Sequence, residues 1–125
     1  MTGAREGGCQ CGAVRFRARG APKFISNCHC ADCRRASGAA FSTFVGYADQ
    51  QLEWTGDRKV YNSPAGAARS FCAECGSPLA YSGVKWPGET HLLVGAFDEQ
   101  SDLNPTSDVF SDEALGWAYK KAKMG

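Results

Sequence analysis

No apolar stretch of this 125-residue sequence approaches the roughly 20 residues that a membrane-crossing helix requires. The opening residues Met1-Thr2-Gly3-Ala4-Arg5-Glu6 lack the apolar core of a secretory leader, so cytoplasmic residence is expected. Charge of one sign is missing as well. Fourteen Lys and Arg stand against thirteen Asp and Glu, a formal net charge of +1. A surface that grips nucleic acid usually carries a clear basic excess, so nucleic acid is not expected as the main partner. Long helix-forming runs are absent, while Gly is plentiful at 15 residues. That combination disfavours a helical bundle and points to short strands joined by turns. Linkers, internal repeats and low-complexity tracts are also lacking, and the length suits a single domain over residues 1–125.

What is present in excess is cysteine. Seven is an odd number, so a purely disulfide framework leaves one thiol over. Clustered cysteines in a reducing compartment bind metal more often than they form bridges. They fall into three groups: Cys9-x-Cys11, Cys28-x-Cys30-x-x-Cys33 and Cys72-x-x-Cys75-Gly76. A C-x-x-C segment can wrap two thiolates around one ion at a Zn–S distance of about 2.3 Å. Gly76 lets the backbone turn so that N–H groups face the sulfurs and offset their charge. Pairing Cys9 and Cys11 with Cys72 and Cys75 fills a tetrahedral structural site and ties the start of the chain to its second half. Cys28, Cys30 and Cys33 are then one ligand short, which is how zinc sites that admit a substrate are built. The thiolate set favours zinc, with iron as a competitor in the four-cysteine site.

Other residues near these groups have competing readings. A short C-x-C loop tends to point His29 outward, although it is a candidate fourth ligand. His91 lies far from any cysteine and reads as a packed or surface histidine. Arg34 and Arg35 follow Cys33 and could hold a small anion, or be solvated surface charge. Asp32 and Asp98 are the candidates for a general base. The three-cysteine group could also be a second structural site or an inert reduced set.

The chain reads as mainly β. Val14, Phe16 and Ala18 alternate with Arg15, Arg17 and Arg19, the signature of a half-buried strand whose arginines face solvent. Further strands are expected over 23–28, 41–47, 51–54, 59–62, 68–72, 79–82 and 91–97. In the 41–47 strand, Phe41, Thr43, Val45 and Tyr47 share one side. The 91–97 strand is apolar on both faces and is expected inside a covered sheet. A helical turn is expected over 31–37, closed by Gly38, and a partly helical tail over 112–123.

Three segments together resemble the glutathione-dependent formaldehyde-activating (Gfa-like) family, which includes the centromere protein V relatives. They are Gly7-Gly8-Cys9-Gln10-Cys11-Gly12-Ala13-Val14-Arg15-Phe16, then Cys28-His29-Cys30-Ala31-Asp32-Cys33-Arg34-Arg35-Ala36-Ser37-Gly38 with Phe41, and Phe71-Cys72-Ala73-Glu74-Cys75-Gly76-Ser77-Pro78-Leu79. Gly95-Ala96-Phe97-Asp98 and Leu103-Asn104-Pro105 resemble its later strand and turn. The resemblance implies a β-tent fold of antiparallel sheets. It implies structural zinc at Cys9, Cys11, Cys72 and Cys75, and a more labile zinc at Cys28, Cys30 and Cys33. The implied activity is carbon–sulfur lyase chemistry joining glutathione to formaldehyde. One departure stands out: the family often has His in a Pro-x-x-His-Ile-Phe stretch where this chain has Asp108-Val109-Phe110. Two rival expectations remain. One is a non-catalytic zinc module binding protein or nucleic acid. The other is a methionine-R-sulfoxide reductase-like enzyme, which would need a reactive cysteine outside the metal sites.

Overall fold

The computed structural model describes residues 3–119. Its strands are β1 (Ala4–Gly8), β2 (Arg15–Arg19), β3 (Phe24–Cys28), β4 (Ser42–Ala48), β5 (Leu52–Thr55), β6 (Arg58–Asn62), β7 (Ala67–Cys72), β8 (Pro78–Gly83), β9 (Glu89–Leu93) and β10 (Ser107–Val109). One helix, α1 (Ala31–Ser37), lies between β3 and β4. Gly38 closes it in the left-handed region (φ 68°), its N–H donating to the Arg34 carbonyl. The expected mainly β architecture of antiparallel sheets is what the chain adopts.

The strands form a three-stranded sheet, β1-β2-β5, and a seven-stranded sheet, β10-β3-β4-β9-β8-β7-β6. Alternation along β2 does what its pattern demands. Val14, just before the strand, and Phe16 and Ala18 within it are buried, while Arg15, Arg17 and Arg19 pair with Asp98, Glu6 and Glu53. Exposed pairs of this kind contribute roughly 0–1 kcal/mol each, so burial and not charge fixes the strand. The small sheet covers one face of the large one, and Val45, Tyr47, Leu79, Leu92 and Phe97 fill the space between them. On the other face Phe44 packs with Cys28 and Cys33, flanked by Phe24, Tyr81 and Leu93. The middle of the large sheet is therefore covered on both sides, while its edge strands β6 and β10 are exposed.

β4 is buried on both faces, with Phe44 opposite in direction to Val45 and Tyr47, which share a side as expected. Two expectations need correction, and two strands were not foreseen. The strand expected over 91–97 stops at Leu93, because Val94–Ala96 winds into a 3-10 turn. β1 and β10 escape the hydrophobic pattern altogether, and β10 pairs in parallel with β3. The helical tail expected over 112–123 is represented by a 3-10 turn at Ser111–Glu113; its end, from Lys120 onward, lies outside the described residues.

Candidate metal centres

The β1–β2 loop carries Cys9 and Cys11, and the β7–β8 turn carries Cys72 and Cys75. The two loops meet so that all four sulfurs lie within 4.8 Å of one another. Cys9 Sγ to Cys11 Sγ is 3.6 Å and Cys11 Sγ to Cys72 Sγ is 3.8 Å. Zinc bonds of about 2.3 Å give a tetrahedron with edges of about 3.8 Å, so the donor set fits that ion. Backbone amides already serve the sulfurs. Val14 N–H donates to Cys9 Sγ (3.2 Å), and the Glu74 and Cys75 N–H groups donate to Cys72 Sγ (3.3 and 3.4 Å). The turn that aims them closes through Gly76, at φ 79°, whose N–H reaches the Cys72 carbonyl. A side chain would be strained at that φ.

The thiols of this group share protons unequally. The Ser77 hydroxyl and then its backbone N–H draw the Cys75 pKa down to about 5. Cys11 is favoured as thiolate by the Ala13 N–H, yet Cys9 and its other sulfur neighbours push it up to about 12. Such a split is what neighbouring sulfurs competing for protons produce, and a cation would relieve it.

Cys28 ends β3, Cys30 caps α1 and Cys33 sits inside it. Their sulfurs also lie within 4.8 Å of one another, with Cys28–Cys30 at 3.5 Å and Cys33–Cys28 at 3.0 Å. The Cys33 N–H donates to Cys30 Sγ (3.3 Å), so the cap of the helix and the presentation of two sulfurs are one event. A hydrogen bond from Cys33 lowers the Cys28 pKa, while burial raises that of Cys30. Cys33 itself is pushed up, first by Cys28 and then by burial. The Ser37 and Ser42 hydroxyls both donate to the Cys33 carbonyl (2.9 and 3.0 Å) and fix the helix over the sheet. Both cysteine groups could hold a metal ion.

The residues around the three-cysteine group are not arranged as the spacing suggested. His29 does not point outward: it is fully buried, with its Nε2 2.9 Å from Asp108 Oδ1. Its ring packs against both Phe41 and Tyr119, which also touch each other, and it is outside the sulfur cluster. Asp108 is held in turn by Asn27 Nδ2 (3.0 Å) and by the Tyr119 hydroxyl. Arg34 turns back to donate to the His29 carbonyl (3.3 Å), and Arg35 is exposed. Asp32 is exposed on the first turn of α1. Asp98 is gripped by both Arg15 nitrogens, which hold its carboxyl below the ordinary range and make it a poor proton acceptor. His91 is packed, as expected, edge-on to Phe24 with ring centres 4.7 Å apart.

Arg69 is the residue that sequence reasoning passed over. It lies on β7, 36 positions from Cys33, yet its Nη2 is 3.9 Å from Cys33 Sγ and its guanidinium sits 5.1 Å from the Tyr81 ring centre. Pairing of β7 with β8 puts Arg69 opposite Tyr81, and only that register reveals the contact. Two cavities adjoin the region. One, of about 590 Å³, runs past Cys9, Arg15, Phe41, Thr43, Phe97 and Asp98. The other, of about 220 Å³, is bounded by Arg69, Ser37, Ser42, Phe44, Tyr61 and Phe71.

Comparison with known proteins is consistent with this geometry. A family model described as glutathione-dependent formaldehyde-activating enzyme matches residues 4–113. A Halomonas elongata protein provisionally named for the same activity is 33% identical over 109 residues, covering 78% of this chain and 67% of that protein. An uncharacterized lyase of Schizosaccharomyces pombe is 32% identical over 84 residues, 66% of this chain and 61% of that one. A crystal structure of a Rhodobacter sphaeroides protein shares the fold, with a TM-score of 0.64 at 21% identity, over 83% of this chain and 99% of the other.

Proposed function

The chain belongs to the glutathione-dependent formaldehyde-activating family, and from that premise we propose that it is a zinc-dependent carbon–sulfur lyase. It would join glutathione, or another small thiol, to formaldehyde or a related small aldehyde. The observation that carries the reading is the three-sulfur cluster of Cys28, Cys30 and Cys33, beside Arg69 and short of a fourth protein donor among the described residues. The four-cysteine group takes the structural ion, and residues 1–125 act as one zinc-binding domain. A reducing compartment such as the cytoplasm suits this, since thiols there stay free to bind metal.

Zinc held by three protein ligands acts as a Lewis acid, lowering a thiol's pKa or polarising a carbonyl. The chain's own residues must offset the charge that three thiolates concentrate. The Arg69 guanidinium and the Cys33 N–H provide positive potential at Cys33 and Cys30. Burial of Cys28 and Cys33 excludes water from that side of the cluster. No carboxylate joins the sulfur group itself among the described residues, while Glu113 accepts from the Ala31 N–H beside Cys30 and Asp108 holds His29. All seven cysteines belong to one or other cluster. That leaves no separate thiol for sulfoxide reduction and favours the lyase reading.

The test separates the two groups. Cys33→Ala and Cys30→Ala are expected to lose one zinc and all adduct formation while keeping a cooperative melt. Cys72→Ala is expected to unfold the protein, because structural zinc can supply about 10–16 kcal/mol against a typical total stability of about 5–15 kcal/mol. Equal loss of thermal stability in all three, measured alongside zinc content, would overturn the division of labour.

A further inference from the structure

Several arginines of this chain face acids: Arg5 faces Asp102, Arg15 Asp98, Arg17 Glu6 and Arg19 Glu53. Arg69 faces none among the described residues. It is half-buried, laid against Tyr81, with one nitrogen at the long distance of 3.9 Å from Cys33 Sγ. A guanidinium has five N–H donors in a fixed fork, and one distant sulfur does not satisfy them. Arg69 borders the 220 Å³ pocket, whose other polar residues are Ser37, Ser42, Ser70 and Tyr61. Phe44, Phe71 and Leu93 make the remainder apolar. Ser37 and Ser42 already donate to the Cys33 carbonyl, so the Arg69 fork is the cationic donor that this largely apolar pocket offers, and it suits a small carboxylate.

None of the three cysteines lines the pocket, and its link to the cluster runs through Arg69 and the helix that bears Cys33. Ser37 and Ser42, on its wall, both donate to the Cys33 carbonyl. Ala36 and Ser37, the last turn of the helix that bears Cys33, also line it.

We propose that Arg69 binds the carboxylate of the small partner taken at the three-cysteine site, so that this partner is an acid and not an uncharged molecule. The proposal rests on reading that group as an open metal site. It assigns specificity to Arg69, a residue 36 positions from the nearest cysteine of the cluster, and gives Arg34 and Arg35 no part in it.

The test needs no turnover. Cobalt-substituted protein is titrated with thioglycolate and with 2-mercaptoethanol, thiols of the same length that differ in carboxylate against hydroxyl, and binding is read from the visible spectrum. Thioglycolate is expected to bind about tenfold or more tightly, the size of one charge-assisted hydrogen bond. In Arg69→Gln the preference for thioglycolate over 2-mercaptoethanol is expected to vanish, whatever loss both thiols share from the missing charge beside Cys33; Arg69→Lys, which keeps the charge but not the fork, retains part of the preference. Equal affinity in the wild type, or a preference that survives in Arg69→Gln, overturns the proposal and leaves the lyase reading standing. Binding of neither thiol overturns both. The wild-type comparison stands on its own should a variant fail to fold.

Discussion

At His91, burial works against charge. The ring is packed among Phe24, Phe44, Tyr81 and Trp86, with its Nε2 3.0 Å from Glu89 Oε1. Burial lowers its pKa more than the Glu89 carboxylate raises it. Glu89 is kept ionised, and its own pKa lowered, by Lys23 first and then His91. In the unfolded chain an imidazole takes its proton near pH 6.5, whereas the folded chain takes it at lower pH. The unfolded state therefore binds more protons, and stability is present above about pH 6.5 and lost as the pH falls through the folded value. Glu89 acts in the same direction, but its window lies lower. With zinc in excess, the melting temperature should fall between pH 7.5 and 5.5, and the slope should shrink in His91→Gln. Parallel slopes for the two proteins would show that His91 does not titrate in that range. At this scale the sequence was most legible in its cysteines, because four plus three follows from counting ligands. The inward turn of His29 and the approach of Arg69 were not legible. Each depends on a partner, Asp108 or Cys33, that only the assembled sheet supplies.

Among the elements, the helix announced itself through a closing glycine and several strands through alternation. β1 did not. Its sequence, Ala4-Arg5-Glu6-Gly7-Gly8, has no apolar face, and it forms because glycine allows a close approach. A Cβ at Gly7 would lie 2.2 Å from the Ala96 carbonyl oxygen and 2.4 Å from the Phe16 ring. β10 was equally silent, since its three exposed residues gain their place from parallel pairing with β3. That strand locks the cysteine loop from behind. The His29 N–H donates to the Val109 carbonyl (3.1 Å), and Asp108 takes His29 Nε2, Asn27 Nδ2 and the Tyr119 hydroxyl. Because His29 stands between Cys28 and Cys30, Asp108 acts on the cluster as a positioning residue. Partners of this kind typically matter by about 10–100-fold in metal affinity. Asp108→Ala should weaken zinc retention at the three-cysteine group by that factor, measured by competition with a chromophoric chelator. Asp108→Asn keeps an acceptor oxygen for His29 and should lose less. Wild-type affinity at both centres in Asp108→Ala would remove β10 from the site.

Across the molecule the two cysteine groups do different mechanical work. The four-cysteine group joins the loop leaving the small sheet to a turn of the large one, and Cys11 meets Cys72 across 61 residues. The three-cysteine group closes only the short stretch between Cys28 and Cys33, where β3, β4 and the helix cap already fix the chain. Closing a long loop removes more freedom from the unfolded chain than closing a short one, so the ions should differ in what their loss does. The four-cysteine group offers a full set of four donors, although Cys11 and Cys75 are exposed, whereas the other offers three among the described residues. A chelator of moderate strength should therefore take one zinc first, abolishing activity while the near-ultraviolet circular dichroism and the protection of amides in β4 and β9 persist. Removal of the second zinc should unfold both sheets together, since Cys9 and Cys72 belong to the same buried cluster as Val45 and Leu92. Hydrogen exchange at each stage reads the difference directly. If the first ion to leave opens the small sheet, the four-cysteine group is the weaker of the two and the assignment of structural and open sites is reversed.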